Sequence, residues 1–304
     1  MELALISAKQ VVAILVIMVF GVICAKTRIL DRDVNKRLSD LLLNIVSPLV
    51  ILLSYQRPYE ARLARNLLIS FALSLLALFV SGVVGYLLFR KRPQDRRYCM
   101  ERFATIYGNA GFLGIPLVDG VFGSEGVFYL TAFITAFNLL VWTHGVICMS
   151  GSFSMKTFRQ GLFSPAVCAI ALGVALFFAR IELPELLATP LSYISALNTG
   201  LAMLIAGVSV ANTDFRELAK SARVFLVCLA RLVICPVLFG LLIRFLPLDG
   251  IVRGTMLLAS ACPCATMVIL FAYRYGGDDL YGTQIFTAST LLCALTVPFV
   301  MLLA

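Results

Sequence analysis

Two apolar segments of the chain each contain a stretch of residues that interrupts helices. The first reads Tyr107-Gly-Asn-Ala-Gly-Phe-Leu-Gly-Ile-Pro116, and the second reads Ser260-Ala-Cys-Pro-Cys-Ala265. Proline removes a backbone donor and glycine lowers helix propensity, so both stretches are predicted to break a helix. Irregular backbone is tolerated inside a membrane only where it is buried in protein or lines a wet cavity. Paired interrupted helices of this kind form the substrate sites of many secondary transporters.

An asparagine, helix N-termini and two thiols are the groups at these breaks that could bind a ligand. Asn109 could hydrogen-bond a substrate or cap a half-helix, and both interpretations stay open. The N-terminal ends of half-helices carry partial positive charge, which predicts an anionic or carboxylate substrate. Pro116 is expected to start the second half-helix. Cys262 and Cys264 flank Pro263 and could hold a soft metal such as copper(I), or simply fit a crowded helix crossing.

Polar residues elsewhere in the apolar segments are further candidates. Arg231 is the one charge predicted well inside a span, and it either serves transport or snorkels to the nearby surface. His144, the single histidine, is expected to be a packed side chain more than a proton relay. Asn44 and Asn138 line a path or bond a neighbouring helix. The absence of a central Asp or Glu argues against a buried carboxylate that carries protons or sodium ions.

Composition places the chain among polytopic membrane proteins, because 61% of its residues are hydrophobic and only 13% are charged. The net charge of +9 comes from short connections between apolar segments, which argues against nucleic acid as a partner. The nine cysteines lie mostly within spans, so no disulfide framework is expected. The sequence contains no Walker, His-Glu-x-x-His or Gly-x-Ser-x-Gly motif. We therefore predict no enzyme, cofactor or resident metal.

Ten apolar segments are long enough to cross a bilayer, at about 17–25 residues per crossing. The predicted spans are 7–25, 38–55, 66–89, 101–118, 126–149, 162–180, 190–211, 223–246, 252–273 and 282–303. The connections between them are short and leave no room for a soluble domain. The first span is interpreted as a membrane helix and not as a removed signal peptide.

The distribution of lysine and arginine predicts the orientation of these spans. Odd-numbered connections carry 17 of these residues, whereas the N-terminus and the even-numbered connections carry 7. Both termini should therefore face outside the cytoplasm. Phe122-Gly-Ser-Glu125 and Tyr275-Gly-Gly-Asp278 resemble each other and lie half a chain length apart. With five spans in each half, residues 1–150 and 151–304 would form two repeats of opposite orientation.

Several stretches in this order resemble the auxin efflux carrier family in its short bacterial form. They are Asn44-Ile-Val-Ser-Pro48, Gly108-Asn-Ala-Gly-Phe-Leu-Gly-Ile-Pro-Leu117, Asn138-Leu-Leu-Val-Trp-Thr-His-Gly145, Ala206-Gly-Val-Ser-Val210, Arg231 with Pro236, and residues 260–278. The resemblance covers the chain from end to end.

The resemblance implies an all-α fold of ten transmembrane helices, arranged as two inverted five-helix repeats similar to bile acid symporters and sodium/proton antiporters. Helices 1, 2, 6 and 7 would form a scaffold domain that mediates a homodimer. Helices 3–5 and 8–10 would form a transport domain that moves like an elevator. The broken fourth and ninth helices would cross at the substrate. The residues carried over to this site are Asn109, Gly111 and Pro116 at the first break and Cys262, Pro263 and Cys264 at the second. Asn44, Phe112 and Asn138 complete the predicted substrate site.

The sequence thus predicts a carrier of small organic anions, such as malonate or auxin-like acids, in the inner (plasma) membrane and with possible proton coupling. Two alternatives stay open. One is a soft-metal carrier that uses Cys262 and Cys264, and the other is a membrane receptor that binds a ligand without moving it.

Overall fold

The computed structural model describes residues 2–91, 95–152 and 155–304, and the regular secondary structure of this part of the chain is helical. The only β-pairing within it is one antiparallel bridge between Gly108 and Cys264. In chain order the helices are α1 (Glu2–Lys26), α2 (Asp33–Ser54), α3 (Ala61–Leu88), α4 (Arg97–Ile106), α5 (Ala110–Ser150), α6 (Met155–Leu162), α7 (Pro165–Ala179), α8 (Glu185–Ala211), α9 (Phe215–Lys220), α10 (Ala222–Ile243), α11 (Gly250–Ser260), α12 (Met267–Arg274) and α13 (Asp279–Leu303).

Length and composition identify membrane-spanning helices within the described residues. Seven helices are long and apolar enough to cross a bilayer, and α6 with α7, bent by 49°, would make an eighth. Large apolar side chains such as Phe79 and Phe299 are about two-thirds exposed on the outside of the helices. Such a surface suits contact with lipid, because exposing these apolar side chains to water would cost free energy. The protein is therefore a polytopic membrane protein.

Both predicted helix interruptions are present. Residues 107–109, hereafter the first break, separate α4 from α5, and residues 261–266, the second break, separate α11 from α12. After the first break the chain makes a π-helical turn, Ala110–Gly114, before the α-helix that contains Pro116 near its start. The helix thus resumes earlier than Pro116, which differs from the prediction. A π-helical turn contains one residue more than an α-helical turn, so one backbone position beside it needs no N–H donor. The missing N–H of Pro116 therefore costs little there.

Helix α5 is divided near its first third. Gly123 has φ 63° and ψ −161°, a backbone conformation that residues with a side chain rarely adopt. The sequence predicts the connection between the fourth and fifth spans at this place, and the glycine supplies the change of direction.

The helices pack in two groups. In the first group α1 lies against α8, and α2 lies against α7 and α8. In the second group α5 lies against α3 and α11, while α13 lies against α10 and α12. Further contacts of α1 with α5 and α13 join the groups. The breaks belong to the second group and are buried at its centre.

Helices α1 and α8 cross at unusually short distance because glycines face each other. A methyl group added at Gly21 would overlap the carbonyl oxygen of Leu204, and one added at Gly207 would overlap that of Met18. Small residues let membrane helices approach closely enough for dense van der Waals packing, which replaces the hydrophobic effect in lipid.

Charged residues are concentrated at the two ends of the bundle. At one end, Arg62 donates to Glu125 at 3.2 Å and to Asp249 at 3.1 Å. At the opposite end, the fully buried carboxylate of Glu101 pairs with Arg223. Each pair joins helices that lie far apart in sequence, so the ends of the second group are tied electrostatically.

The close crossing of α1 and α8 predicts different effects of alanine at two helical glycines. Gly21→Ala should lower the free energy of unfolding by about 1–3 kcal/mol, because its methyl group meets the Leu204 backbone. Gly82→Ala is the control, since nothing lies within 4 Å of an added methyl group there and alanine favours helix. Thermal unfolding of the purified protein in detergent, followed by circular dichroism, compares them. Equal unfolding of both variants and the wild type would contradict the crossing.

Candidate functional site

The two breaks lie side by side and pair through their main chains. The N–H of Asn109 donates to the carbonyl of Pro263 at 2.7 Å, and the N–H of Ala265 donates to the carbonyl of Tyr107 at 3.0 Å. These bonds satisfy groups that two ordinary helices would have paired internally. In a membrane interior that water does not reach, such mutual pairing is what makes two breaks at one depth possible.

The side chain of Arg231 lies behind this pairing. It is 1% exposed, so it does not snorkel to the surface. Its Nε donates to the carbonyl of Cys262 at 2.9 Å, and its Nη1 donates to the carbonyls of Thr105 and Ile106 at 3.3 and 3.2 Å. One guanidinium therefore bonds the main chain on both sides of the crossing.

In front of the crossing is a cavity of about 330 Å³, hereafter the site cavity. One wall comes from α2 and the start of α7, and the other from the first break, α5 and the start of α12. The lining residues are Asp40, Leu43, Asn44, Ser47, Ile51, Gly108, Asn109, Gly111, Phe112, Ile115, Ile134, Phe137, Asn138, Trp142, Ser164, Pro165, Ala166, Ala265, Thr266, Met267 and Leu270.

Five of the residues predicted for the substrate site meet at this cavity. They are Asn44, Asn109, Gly111, Phe112 and Asn138. They come from α2, from both sides of the first break and from the second part of α5. Asn138 also donates from Nδ2 to the carbonyl of Ile134 in its own helix at 2.8 Å, which leaves its side-chain oxygen as the free acceptor.

The other four predicted residues do not line the cavity. Pro116 is buried, and its carbonyl accepts from Gln10 at 3.2 Å. Pro263 faces a small gap beside α1. Cys262 and Cys264 are fully buried in helix packing. The Sγ of Cys262 donates to the carbonyl of Leu258 at 3.5 Å, and neither cysteine is among the residues that line the cavity. Across the described residues no three His, Cys, Asp or Glu side chains are grouped to hold a metal ion.

Asn109 has an unpaired side-chain donor at the cavity wall. Its backbone carbonyl accepts from Leu113 and Gly114 at 3.1 and 3.0 Å, but its side chain does not cap α5. The residue is 5% exposed, and its Nδ2 has no hydrogen-bond partner within the described residues. A buried donor without a partner costs free energy, so a partner for it in the cavity, a ligand or a water molecule, is expected.

Two helix N-termini adjoin Asn109 at the same wall. Gly111 and Phe112 belong to the first turn of α5, and Thr266 and Met267 begin α12. The first-turn N–H groups of a helix have no partner within it and carry partial positive charge. An asparagine amide and two helix N-termini together can bind an anionic oxygen through neutral donors.

A second cavity of about 220 Å³ lies farther along α2 towards its C-terminal end. Ser54, Asp119 and Ser124 line it, and Ile115 lines both cavities. Between the cavities, Ser47 of α2 donates to the side-chain oxygen of Asn198 of α8 at 2.9 Å. The two cavities thus lie on either side of a buried layer at the level of Ile115.

Asp40, Trp142 and Thr266 are among the polar or aromatic lining residues that the sequence did not identify as part of the site. Asp40 precedes Asn44 by four residues and Trp142 follows Asn138 by four, so each shares a helix face with a predicted residue. That spacing is the signal that could have identified them. Thr266 directly follows the second break, where a hydroxyl group beside a helix start is a common capping choice.

His144 connects α3 and α5 next to the first break. Its Nε2 lies 2.9 Å from the hydroxyl of Tyr86, and its Nδ1 lies 2.9 Å from the hydroxyl of Tyr107. The hydroxyl of Tyr107 also donates to the carbonyl of Leu140 at 2.9 Å. One assignment satisfies every bond: a neutral ring that donates from Nδ1 and accepts at Nε2. This geometry fits a structural histidine.

Replacement of His144 should therefore cost stability. His144→Phe removes the partner of two tyrosine hydroxyls and should lower the free energy of unfolding by about 1–3 kcal/mol, whereas Tyr86→Phe removes a single bond and should cost about 0.5–1.5 kcal/mol. Thermal unfolding in detergent measures both. A His144→Phe protein as stable as the wild type would contradict the structural role of His144.

Comparison with known proteins identifies the family. The sequence profile of the membrane transport protein family matches residues 6–154 and 149–301. An uncharacterized transporter of Methanothermobacter thermautotrophicus is 28% identical over 298 residues, which cover 96% of both chains. The uncharacterized transporter YfdV of Escherichia coli K12 is 25% identical over 94% of this chain and 93% of its own.

A proposed malonate transporter of Rhizobium meliloti is 26% identical over 220 residues, which cover 69% of this chain and 68% of the relative. Two profile matches that together extend over almost the whole chain agree with the motifs around both breaks. The protein belongs to the auxin efflux carrier family of membrane transport proteins.

Proposed function

We propose that the protein is a secondary transporter of small organic anions that binds its substrate in the site cavity. The observation that carries this proposal is the buried Nδ2 of Asn109, which has no partner in the described residues and lies between two helix N-termini. These donors suit a carboxylate, because they offer hydrogen bonds and partial positive charge without a full counter-charge that would hold the anion too tightly.

The substrate class is a small carboxylate such as malonate or an auxin-like acid. A cavity of about 330 Å³ falls at the small end of ligand sites. Phe112, Phe137 and Trp142 give it aromatic walls, which suit an aromatic acid such as indole-3-acetate. The relative from Rhizobium meliloti that is named for malonate supports the smaller dicarboxylate.

The helices support a count of ten crossings. Helix α5 has 41 residues, about 60 Å at 1.5 Å per residue, and is therefore long enough for two crossings divided at Gly123. Its first part continues α4 across the first break, and α11 with α12 forms a similar broken crossing. With α6 and α7 as one bent span, residues 1–150 and 151–304 each contain five crossings, as two inverted repeats require.

Alternating access would follow from movement of one helix group along the other. The scaffold would comprise α1, α2, α7 and α8, and the transport domain would comprise α3–α5 and α10–α13. The site cavity lies between them, and the second cavity lies beyond the layer at Ile115. An elevator-like shift that carries the breaks past Ser47 and Asn198 would expose the substrate to the second side. A homodimer through the scaffold and proton coupling stay predictions.

The orientation can be tested with reporters. By the count of basic residues, the end with Glu101 and Arg223 faces the cytoplasm and both termini face outside, in the inner membrane of a bacterial host. Alkaline phosphatase fused after Ala304 should be active, and green fluorescent protein fused there should stay dark. Fusions before residue 2 should behave in the same way. A fluorescent C-terminal fusion would reverse the orientation, and opposite results at the two termini would exclude ten crossings.

Uptake into liposomes tests the function and the role of Asn109. Purified protein should give saturable uptake of labelled malonate or indole-3-acetate, measured with and without a proton gradient. Asn109→Ala should weaken binding about 10- to 100-fold while the protein stays folded, because a hydrogen bond to a charged group is worth about 1.5–3 kcal/mol.

Asn212→Ala is the matched control. The Nδ2 of Asn212 donates to the carbonyl of Val208 at 2.8 Å, outside the cavity. Unchanged affinity in Asn109→Ala would remove this residue from the site. Binding without uptake would favour a receptor, and no binding of either acid by folded wild-type protein would overturn the proposed substrate class.

A further inference from the structure

Arg231 is a buried cation that has no carboxylate bonded to it in the described part of the chain. Its hydrogen bonds go to the carbonyls of Cys262, Thr105 and Ile106. An arginine in a membrane interior is costly, and it is retained where its charge is used. Three neutral acceptors spread that charge but do not cancel it.

The three carbonyls belong to the negative ends of two helices. Thr105 and Ile106 are the last residues of α4, and Cys262 follows the end of α11 by two residues. The last carbonyls of a helix have no partner within it and carry partial negative charge. Because Arg231 bonds both ends, these carbonyls have a hydrogen-bond donor at the crossing. The positive poles, at the starts of α5 and α12, are left facing the cavity.

The guanidinium also lies close to the cavity itself. A methyl group added at Gly108 would overlap Nη2 of Arg231, and Gly108 lines the cavity. A single thickness of main chain therefore separates the charge from the substrate space. Nη2 is buried and has no partner within the described residues. The field of a buried charge is weakly screened over such a distance.

We propose that Arg231 sets the preference of the site cavity for anions, as a positioning residue that acts through the crossing without touching the substrate. The proposal rests on the proposed function. It assigns the charge selectivity to the guanidinium, and the hydrogen-bonding geometry to Asn109 and the helix N-termini. A purely structural arginine would hold the breaks together and affect charged and neutral ligands alike.

The test compares a charged and an uncharged ligand of the same skeleton. Binding of malonate and of its neutral diamide, malonamide, is measured by calorimetry on the purified wild type, Arg231→Lys and Arg231→Gln. The wild type should prefer malonate. Arg231→Gln should reduce the ratio of the two affinities about tenfold or more, since one full charge is lost near the ligand. Arg231→Lys should stay within about threefold of the wild-type ratio because the charge remains.

Arg244→Gln is the matched control. Arg244 follows α10, the helix that contains Arg231, but it is exposed at the end of the bundle. Its replacement should leave the affinity ratio unchanged. A ratio that is equally unchanged in folded Arg231→Gln would overturn the proposal, even if both affinities fell together.

A second variant covers the case in which Arg231→Gln does not fold. Gly108→Ala keeps the arginine and displaces its flexible end from the cavity wall. It should lower the malonate to malonamide ratio in the same direction, and an unchanged ratio in that folded variant would overturn the proposal. If the folded wild type binds neither malonate nor indole-3-acetate, the proposed function fails and this inference fails with it. That result differs from one in which the wild type binds malonate and a folded variant keeps the ratio of malonate to malonamide affinity.

Discussion

Main-chain hydrogen bonding at the crossing is the constraint on which the rest of the structure depends. Two helices stop at the same depth, where neither lipid nor bulk water can satisfy their free ends. The hydrogen bonds from Asn109 to Pro263 and from Ala265 to Tyr107 satisfy some of these backbone groups. The guanidinium of Arg231 satisfies other carbonyls. The surrounding helices of the second group keep water and lipid from these bonds, and the residues that form them are buried.

The crossing has two unlike sides because helices have direction. The carboxyl ends of α4 and α11 meet on the side of Arg231, and the amino ends of α5 and α12 begin on the side of the site cavity. On the side of Arg231 the helix carbonyls accept its hydrogen bonds, and on the side of the site cavity the N–H donors of the helix starts remain available. The chemistry offered to a ligand therefore follows from the direction of four helix segments, and a single side chain, Asn109, adds to it.

Both breaks, the polytopic membrane character and the family could be predicted from the sequence, because glycine, proline and hydropathy act locally. Five cavity residues followed from their places near the breaks or at polar positions on the helices. The partners of Arg231 could not be predicted, because they are backbone carbonyls more than a hundred residues away in two of three cases. The burial of Cys262 and Cys264 in helix packing depends on the local path of the backbone at the second break, which residue types alone do not specify. The π-helical turn before Pro116 likewise depends on packing at the crossing.

The burial of Arg231 has a consequence for the electrical behaviour of the carrier. In an elevator movement a charge that belongs to the transport domain travels with it, and each elementary charge that crosses the membrane field changes the energy by about 2.3 kcal/mol per 100 mV. The empty domain would carry the positive charge of Arg231, whereas the domain loaded with a monoanion would carry none. The membrane voltage would then act on the return of the empty carrier and leave the loaded step almost untouched. A domain loaded with a dianion would carry one net negative charge, so both the loaded and the empty step would then respond to the voltage. The number of carboxylates on the substrate would therefore decide whether one or both halves of the cycle depend on the membrane voltage.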